Sequence, residues 1–123
     1  MATKEQLAQV VEAYCRTQTA KDRAGWLALF ADDATHEDPV GAVRNEGLEK
    51  IAAFWDGFVA PSGSELWLTE PTIVCGDEAI AFMKCRTGPA DNRRESGRIV
   101  DQMIFDEAGK IKAVRAFYDH TTW

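Results

Sequence analysis

The order of secondary-structure patterns along the 123-residue chain constrains its fold more than any other feature. Helical periodicity fills the first half, and short β-rich runs separated by turn residues follow from Ser64 onward. Helices followed by consecutive strands are typical of an α+β domain, in which the helices pack on one face of a largely antiparallel sheet. A chain of this length forms one ordinary domain, so we expect a single unit over residues 1–123.

Three helices are predicted in the first half. The segment 3–6 has the form of a capping box, and apolar residues then recur at helical spacing: Leu7, Val10, Val11, Tyr14 and Cys15. Asp22 is the expected cap of a second, shorter helix that ends near residues 31–33. A third helix follows Gly47, and the turn residues 61–63 stop it. The predicted strands then cover residues 66–69, 72–75, 79–86, 95–105 and 111–118.

The charge balance argues against a nucleic-acid partner. The formal net charge is -6, whereas phosphate binding needs a positive field on some face of the protein. Arg93, Arg94 and Arg98 cluster, but neighbouring acids offset them, which favours a solvated hairpin tip over a phosphate site. No apolar stretch approaches the roughly 20 residues that cross a bilayer, so we expect a soluble, cytoplasmic protein that binds no membrane.

The cysteines and histidines do not suggest a metal site. Cys15, Cys75 and Cys85 are odd in number and widely spaced, so we expect reduced, buried side chains in place of disulfides or a zinc ribbon. His36 and His120 are the two histidines, and no ligand-type spacing links them. There is also no phosphate loop, dinucleotide fingerprint or nucleophile elbow, so no cofactor is implied.

Two polar residues are predicted on apolar faces. Alternation along the strand 95–105 places Asp101 on the same side as Ile99, Met103 and Phe105, where a lone carboxylate is costly. Asp101 therefore keeps a proton through a raised pKa, forms a salt bridge with a nearby arginine, or lies on a strand edge that is open to water. Tyr14 lies on the apolar stripe of the first helix, and its buried hydroxyl needs a partner. A core tyrosine bonded to a backbone carbonyl is the ordinary alternative.

Asp38 is the candidate general base. Pro39 favours an extended conformation at Asp38, and Gly41 lets the chain turn, so the carboxylate belongs to a short, fixed segment. A base must be positioned before it can move protons. An Asp-Pro turn exposed to water is the alternative reading of this motif. His36 shares a face with Asp38 if the segment is extended, and it either tunes that carboxylate or is an exposed bystander.

These residues resemble the bacterial ketosteroid isomerases of the NTF2-like, or SnoaL-like, superfamily. The matching segments are residues 31–41, 51–55, 99–101, 105–107 and 114–118, together with Tyr14. The resemblance implies a cone-shaped fold in which a curved sheet encloses a deep apolar pocket, and it implies a homodimer. It also implies that Asp38 shuttles the proton while Tyr14 and a protonated Asp101 donate to the substrate oxygen. The implied reaction moves a steroid double bond, from a 3-oxo-Δ5-steroid to a 3-oxo-Δ4-steroid, without a cofactor.

The substrate pocket is expected to be apolar. Its predicted lining is Phe30, Val40, Trp55, Phe58, Phe82, Ile99, Met103, Ala116 and Tyr118, each of which is equally compatible with ordinary core. The resemblance also shows departures. Phe30 and Trp55 stand where relatives have tyrosines bonded to the oxyanion tyrosine, and neither extends that network in the same way. His36 stands where relatives usually have an apolar residue.

Other activities share the same fold. The alternatives are a polyketide cyclase or an epoxide hydrolase with Asp38 or His36 in the active role, and a non-catalytic carrier of steroids or other flat lipids. The identity of the steroid does not follow from the residues.

Overall fold

The computed structural model describes residues 2–42, 44–119 and 121. The helices are α1 (Lys4–Thr19), α2 (Arg23–Leu27), α3 (Leu48–Phe54) and α4 (Ala60–Ser62), and a π-helical turn (Trp55–Val59) joins the last two. The strands are β1 (Phe30–Glu37), β2 (Arg44–Glu46), β3 (Glu65–Leu68), β4 (Ile73–Cys75), β5 (Glu78–Thr87), β6 (Arg94–Glu95), β7 (Ile99–Phe105) and β8 (Ile111–Phe117). The α+β class expected from the sequence is confirmed.

The first two helices begin at the predicted caps. Thr3 and Gln6 form the capping box of α1, and Asp22 accepts a hydrogen bond from the Gly25 amide at 3.0 Å at the start of α2. The predicted end of α2 near residues 31–33 is wrong, because the helix ends at Leu27 and β1 begins at Phe30. The backbone there pairs with the distant strand β8, a contact that local propensity does not encode.

The third predicted helix follows Gly47 and includes an irregularity. Its backbone widens into the π-helical turn before α4 ends at Gly63. Gly63 has φ of 63°, the left-handed conformation that commonly terminates helices. A π-helical turn is often found at a functional site, and this one lies beside the cavity described below.

The described strands form one curved sheet in the order β2-β1-β8-β7-β5-β3, with β4 and β6 also paired to β5. Among these pairs β1 and β8 run parallel and the others run antiparallel, which confirms a largely antiparallel sheet. The strand predicted over residues 95–105 is divided into β6 and β7, and β1 and β2 were not predicted as strands.

One face of the sheet is buried beneath the helices. Alternate residues of β5 and β7 are buried, including Met83, Ile99, Asp101 and Met103, while their neighbours point to the outer face. The largest fully buried side chains of the interior include Trp26, Ile51 and Phe105. Asp101 lies on the same buried face and forms part of the wall of a cavity.

Two sequence interpretations are corrected. Cys15 and Cys85 are buried, but Cys75 is exposed on the short strand β4. Arg93 does not belong to a solvated tip, since its guanidinium donates to Gly88 O, to Gly63 O at 2.9 Å and to Glu65 at 2.6 Å.

In the part of the chain that the structure describes, no helix has the length and apolarity needed to cross a membrane.

Candidate active site

A cavity of about 60 Å³ lies between the helices and the inner face of the sheet. Its wall includes the three candidate catalytic residues, Tyr14 from α1, Asp38 from the segment after β1 and Asp101 from β7. Most of the remaining wall is apolar, and one side carries small polar groups. Since one water needs about 10–15 Å³, the cavity has room for a few water molecules, and it is too small for a ligand with four fused rings.

Asp101 is the most buried acid of this wall. The paired residues on either side of it are Ala81 in β5 and Ala116 in β8, whose small side chains leave room above the carboxyl group. The residue is 3% exposed, and no described residue hydrogen-bonds its Oδ1. Burial, and then the negative charge of Asp38, raise the pKa of Asp101 well above its ordinary value. The group is therefore suited to keep its proton and to donate it in a hydrogen bond.

Asp38 and the residues after it are hydrogen-bonded to β8 and to the segment that follows it. The hydroxyl of Tyr118 donates to Asp38 Oδ1 at 2.6 Å, and the Val40 amide donates to Ala116 O at 2.9 Å. The Asp38–Pro39 peptide bond is cis. The Asp38 side chain is 25% exposed, so it opens toward the cavity and toward solvent, unlike Asp101. The side chain of Asp38 and the backbone two residues later are therefore both hydrogen-bonded to neighbouring residues.

Tyr14 joins the cavity to the aromatic interior. Its ring lies 5.6 Å from the Trp26 ring and 6.2 Å from the Phe30 ring. Burial, followed by the charges of Asp101 and Asp38, raises the pKa of Tyr14 well above its ordinary value. The phenol therefore remains protonated and is available as a donor at the cavity surface.

His36 is neither exposed nor remote from the candidate residues. Its side chain is 1% exposed, and its Nε2 lies 3.5 Å from Tyr14 Oη and 3.9 Å from Asp38 Oδ2. Strand alternation was the available signal, because Ala34, His36 and Asp38 are two residues apart and β1 buries the first two. Without the position of β1 in the sheet, this pattern could not be separated from an exposed turn.

Four of the nine predicted lining residues line the cavity: Phe58, Ile99, Ala116 and Tyr118. Phe82 lies on the outer face of β5, where the Arg98 guanidinium is 5.4 Å from its ring centre, so its prediction as a lining residue is corrected. The strand pairing explains this position. Ala81 of β5 lies opposite the buried Asp101, so the odd-numbered residues of β5 face inward and Phe82 faces outward.

The other predicted lining residues also lie outside the described wall of the cavity. Phe30 and Trp55 are buried against Trp26, with ring centres 4.8 and 4.9 Å apart, and Met103 is fully buried beyond Asp101 on β7. Val40 is half-buried and is held by its backbone. We therefore regard these four residues as support for the site and do not assign them contact with a ligand.

Several polar residues of the wall were not anticipated. They are Gln18, Ser62, Ser64 and Thr87, and the Gln18 amide donates to Ser64 Oγ at 2.9 Å. Gln18 stands four residues after Tyr14 on α1, so helical spacing already placed the two on one face. The cavity thus has an acidic side, with Asp38 and Asp101, and a neutral polar side.

The described residues include no cluster of three or more histidine, cysteine or acidic side chains that could hold a metal ion. The cavity wall carries two carboxyl groups, which can transfer protons, and a phenol, which can donate a hydrogen bond. Helices that pack on a curved sheet, with acids at the base of an internal cavity, define an NTF2-like α+β domain.

Comparison with known proteins places the chain more narrowly. It matches the SnoaL-like domain over residues 11–114, and it belongs to the SnoaL-like domain family. It is 36% identical over 95 residues to a steroid Delta-isomerase from Nocardioides simplex, covering 77% of this chain and 75% of that protein.

Solved structures with the same fold include steroid-related proteins. A Delta 5-3-ketosteroid isomerase from Mycobacterium sp. has a TM-score of 0.83 and 25% identity, with 95% of each chain covered. The protein RV0760c from Mycobacterium tuberculosis, in complex with estradiol-17beta-hemisuccinate, has a TM-score of 0.85 and 26% identity, with 95% of this chain and 96% of that chain covered.

Proposed function

We propose that this protein is a steroid Delta-isomerase that converts 3-oxo-Δ5-steroids into 3-oxo-Δ4-steroids. The observation that carries the proposal is a pair of carboxyl groups in one cavity with opposite environments. Asp101 is buried with an unpartnered oxygen among the described residues, whereas Asp38 is partly exposed and accepts a bond from Tyr118. Such a pair supplies an acid and a base at the same pH. The similarity to a steroid Delta-isomerase supports this assignment.

Asp38 acts as the proton shuttle in this proposal. Its carboxylate removes a proton from C4, between the carbonyl and the double bond, and the electron pair of that C–H bond moves into a dienolate. The Asp38 carboxyl group then returns the proton to C6, which restores the carbonyl and leaves the double bond conjugated with it. No atom is gained or lost. The hydrogen bond from Tyr118 fixes the carboxylate, as a general base requires.

Tyr14 and Asp101 stabilise the negative charge that develops on the substrate oxygen. Both groups line the cavity, and burial keeps both protonated, so each has a hydrogen to donate. Donors fixed in a site shielded from water lower the barrier without having to reorient during the reaction, and losing one typically costs about 3–4 kcal/mol.

A steroid requires more room than the cavity offers. Pockets for ligands of that size measure about 300–1,000 Å³, against about 60 Å³ here. Phe58 is 61% exposed at the cavity and stacks on Phe54, with ring centres 5.3 Å apart. We propose that these rings move aside and then cover the far part of the steroid.

The decisive experiment adds 5-androstene-3,17-dione, a 3-oxo-Δ5-steroid, to the purified protein and records the ultraviolet band of the conjugated enone. We expect turnover without an added cofactor, and a loss of about 10²–10⁴-fold in Asp38→Asn because the general base is removed. Asp33→Asn is the matched control, since Asp33 is an exposed acid of β1, and it should retain wild-type activity. No rate above buffer would reject the isomerase proposal and favour a carrier, a cyclase or an epoxide hydrolase.

We also propose that the protein is a homodimer that pairs through the outer face of the sheet. Phe82, Val100 and Phe117 occupy paired positions on β5, β7 and β8, so they form one apolar row across three neighbouring strands. Phe117 is 44% exposed. A second copy that covers this row would bury it by a two-fold, self-complementary contact.

A further inference from the structure

His36 is a buried polar residue that the proposed mechanism leaves without a role. Its Nε2 faces two oxygen atoms, Tyr14 Oη at 3.5 Å and Asp38 Oδ2 at 3.9 Å. The first distance is longer than the roughly 2.7–3.2 Å of ordinary N–H···O hydrogen bonds, and catalytic hydrogen bonds are often long without substrate and tighten when it binds. The imidazole therefore stands between the proposed base and one proposed oxyanion donor.

The surroundings of His36 favour a neutral ring. Aromatic residues from three elements pack around it, with ring centres at 6.1 Å for Trp26, 6.4 Å for Phe30 and 4.8 Å for Phe54. The titratable groups that face it are Tyr14 from α1 and Asp38 from its own segment. Burial lowers the pKa of His36, and the charge of Asp38 opposes that effect without reversing it.

The position of the ring proton follows from the hydrogen-bond partners. Within the described chain, Nδ1 of His36 has no partner, while Nε2 faces two acceptor oxygens. A proton on Nδ1 would be a buried, unpaired donor, and such N–H groups are rare and costly. A proton on Nε2 instead points at oxygen, and the unpaired atom is then an acceptor.

We propose that His36 is a positioning residue for the isomerase reaction, in which its Nε2–H donates to Tyr14 Oη. Tyr14 then accepts from His36 and is free to donate its own proton to the substrate oxygen. The hydrogen bond that Tyr14 accepts from His36 strengthens the one that Tyr14 donates to the substrate oxygen, because consecutive hydrogen bonds polarise one another. This inference rests on the proposed function, and it adds a third side chain to the oxyanion site.

The first test compares His36→Val with His36→Gln. Valine removes the donor, whereas the side-chain amide of glutamine can present an N–H near the position of the imidazole Nε2. We expect kcat to fall about tenfold in His36→Val with KM changed less than twofold, the effect of losing one net hydrogen bond in the transition state. His36→Gln should recover most of that loss. Thermal unfolding of both variants checks that the comparison is made on folded protein.

Equal loss of kcat in the two variants would overturn the proposal, because it would indicate that the imidazole fills space and does not donate. A rise in KM with unchanged kcat would overturn it as well, since His36 would then affect binding alone.

The second test does not depend on turnover. In protein labelled with ¹⁵N in the histidine rings, nuclear magnetic resonance reports the tautomer directly, and His36→Val identifies the His36 signals. We expect a neutral ring with the proton on Nε2 at pH 7 and above, and a shifted Nε2–H signal in Tyr14→Phe, where the acceptor is gone.

The two tests separate the possible failures. A proton on Nδ1, or titration of His36 near its ordinary pKa of about 6.5, would overturn the role of His36 even in an active enzyme. Wild-type protein without isomerase activity would overturn the proposed function instead, whatever tautomer the spectra show.

Discussion

Asp38 and Asp101 show how one functional group acquires two roles from its surroundings. Asp101 lies on a buried strand between two alanines, so desolvation opposes its charged form. Asp38 lies in a segment after a strand end, with access to solvent and a phenolic donor at 2.6 Å. The carboxyl group of Asp101 is therefore stabilised as a protonated acid, whereas that of Asp38 is accessible as a base.

The protonated state of Asp101 has a consequence for stability that can be measured. Its folded pKa is raised above the unfolded value of 3.8, so between these two values the folded state holds a proton that the unfolded state has released. The free energy of unfolding therefore falls as pH rises in this interval, by at most about 1.4 kcal/mol per pH unit for one proton. The contribution of His36 to this pH dependence has the opposite sign. Its pKa is lowered in the folded state, so the unfolded state binds the extra proton.

We predict that Asp101→Asn removes the Asp101 contribution to this slope. Asparagine has a similar shape and does not ionise, so its stability relative to wild type should increase as pH rises above about 5, until the pH reaches the folded pKa of Asp101. Urea unfolding at four pH values measures the difference, and the effect of His36 cancels because both proteins contain it. Parallel curves for the two proteins would mean that Asp101 ionises as easily in the folded state as in the unfolded one.

At the scale of elements, the π-helical turn Trp55–Val59 brings Phe58 and Val59 to the cavity wall. Trp55 and Val59 are buried, while the wider turn leaves Phe58 at the cavity mouth with most of its surface in solvent. An exposed phenylalanine that lines a cavity is a ready apolar contact for a flat ligand.

We predict that Phe58→Ala raises KM about tenfold and changes kcat less than twofold. In the proposed complex, Phe58 belongs to the apolar contact with the far part of the steroid, worth roughly 1–1.5 kcal/mol, and it does not touch the reacting atoms. Ile73→Ala is the matched control, because Ile73 is also an exposed large apolar residue, 52% exposed on β4, and it is not part of the described cavity wall. A lower KM in Phe58→Ala would show instead that the ring obstructs entry.

Elements set by local chemistry were predictable from the sequence. The capping box at Thr3 and the stop at Gly63 depend on residues within a few positions, and both are present. The start of β1 at Phe30 was missed because it depends on parallel pairing with Ile111, more than eighty positions away. Helical spacing could not anticipate that contact.

Some positions of the candidate-site residues could likewise be predicted from the sequence, and others could not. Strand alternation correctly placed Asp101 on the buried face, and the structure brings it to the same cavity as Tyr14 and Asp38. Alternation could not decide Phe82, because both faces of β5 carry apolar residues and only the pairing of Ala81 with Asp101 identifies the inner one.

At the scale of the whole molecule, the two faces of the sheet differ in composition. The inner face supplies the cavity and its acids, while the outer face carries the apolar row of Phe82, Val100 and Phe117. Arginine side chains lie over both ends of this row, with the Arg98 guanidinium 5.4 Å from the ring of Phe82 and that of Arg115 5.4 Å from the ring of Phe117. An apolar centre with a charged rim is the composition of a protein interface.

We predict that the wild-type protein has twice the 13.7 kDa chain mass in solution, and that Val100→Glu has the mass of a single chain. The substitution places a charge in the middle of the apolar row, where a second copy would have to bury it unpaired. Light scattering after size-exclusion chromatography gives both masses, and circular dichroism checks that the variant is folded. Ile73→Glu, which changes an exposed β-branched residue outside this row, should remain dimeric. A dimeric Val100→Glu protein would move the interface elsewhere, and a monomeric wild type would reject the dimer altogether.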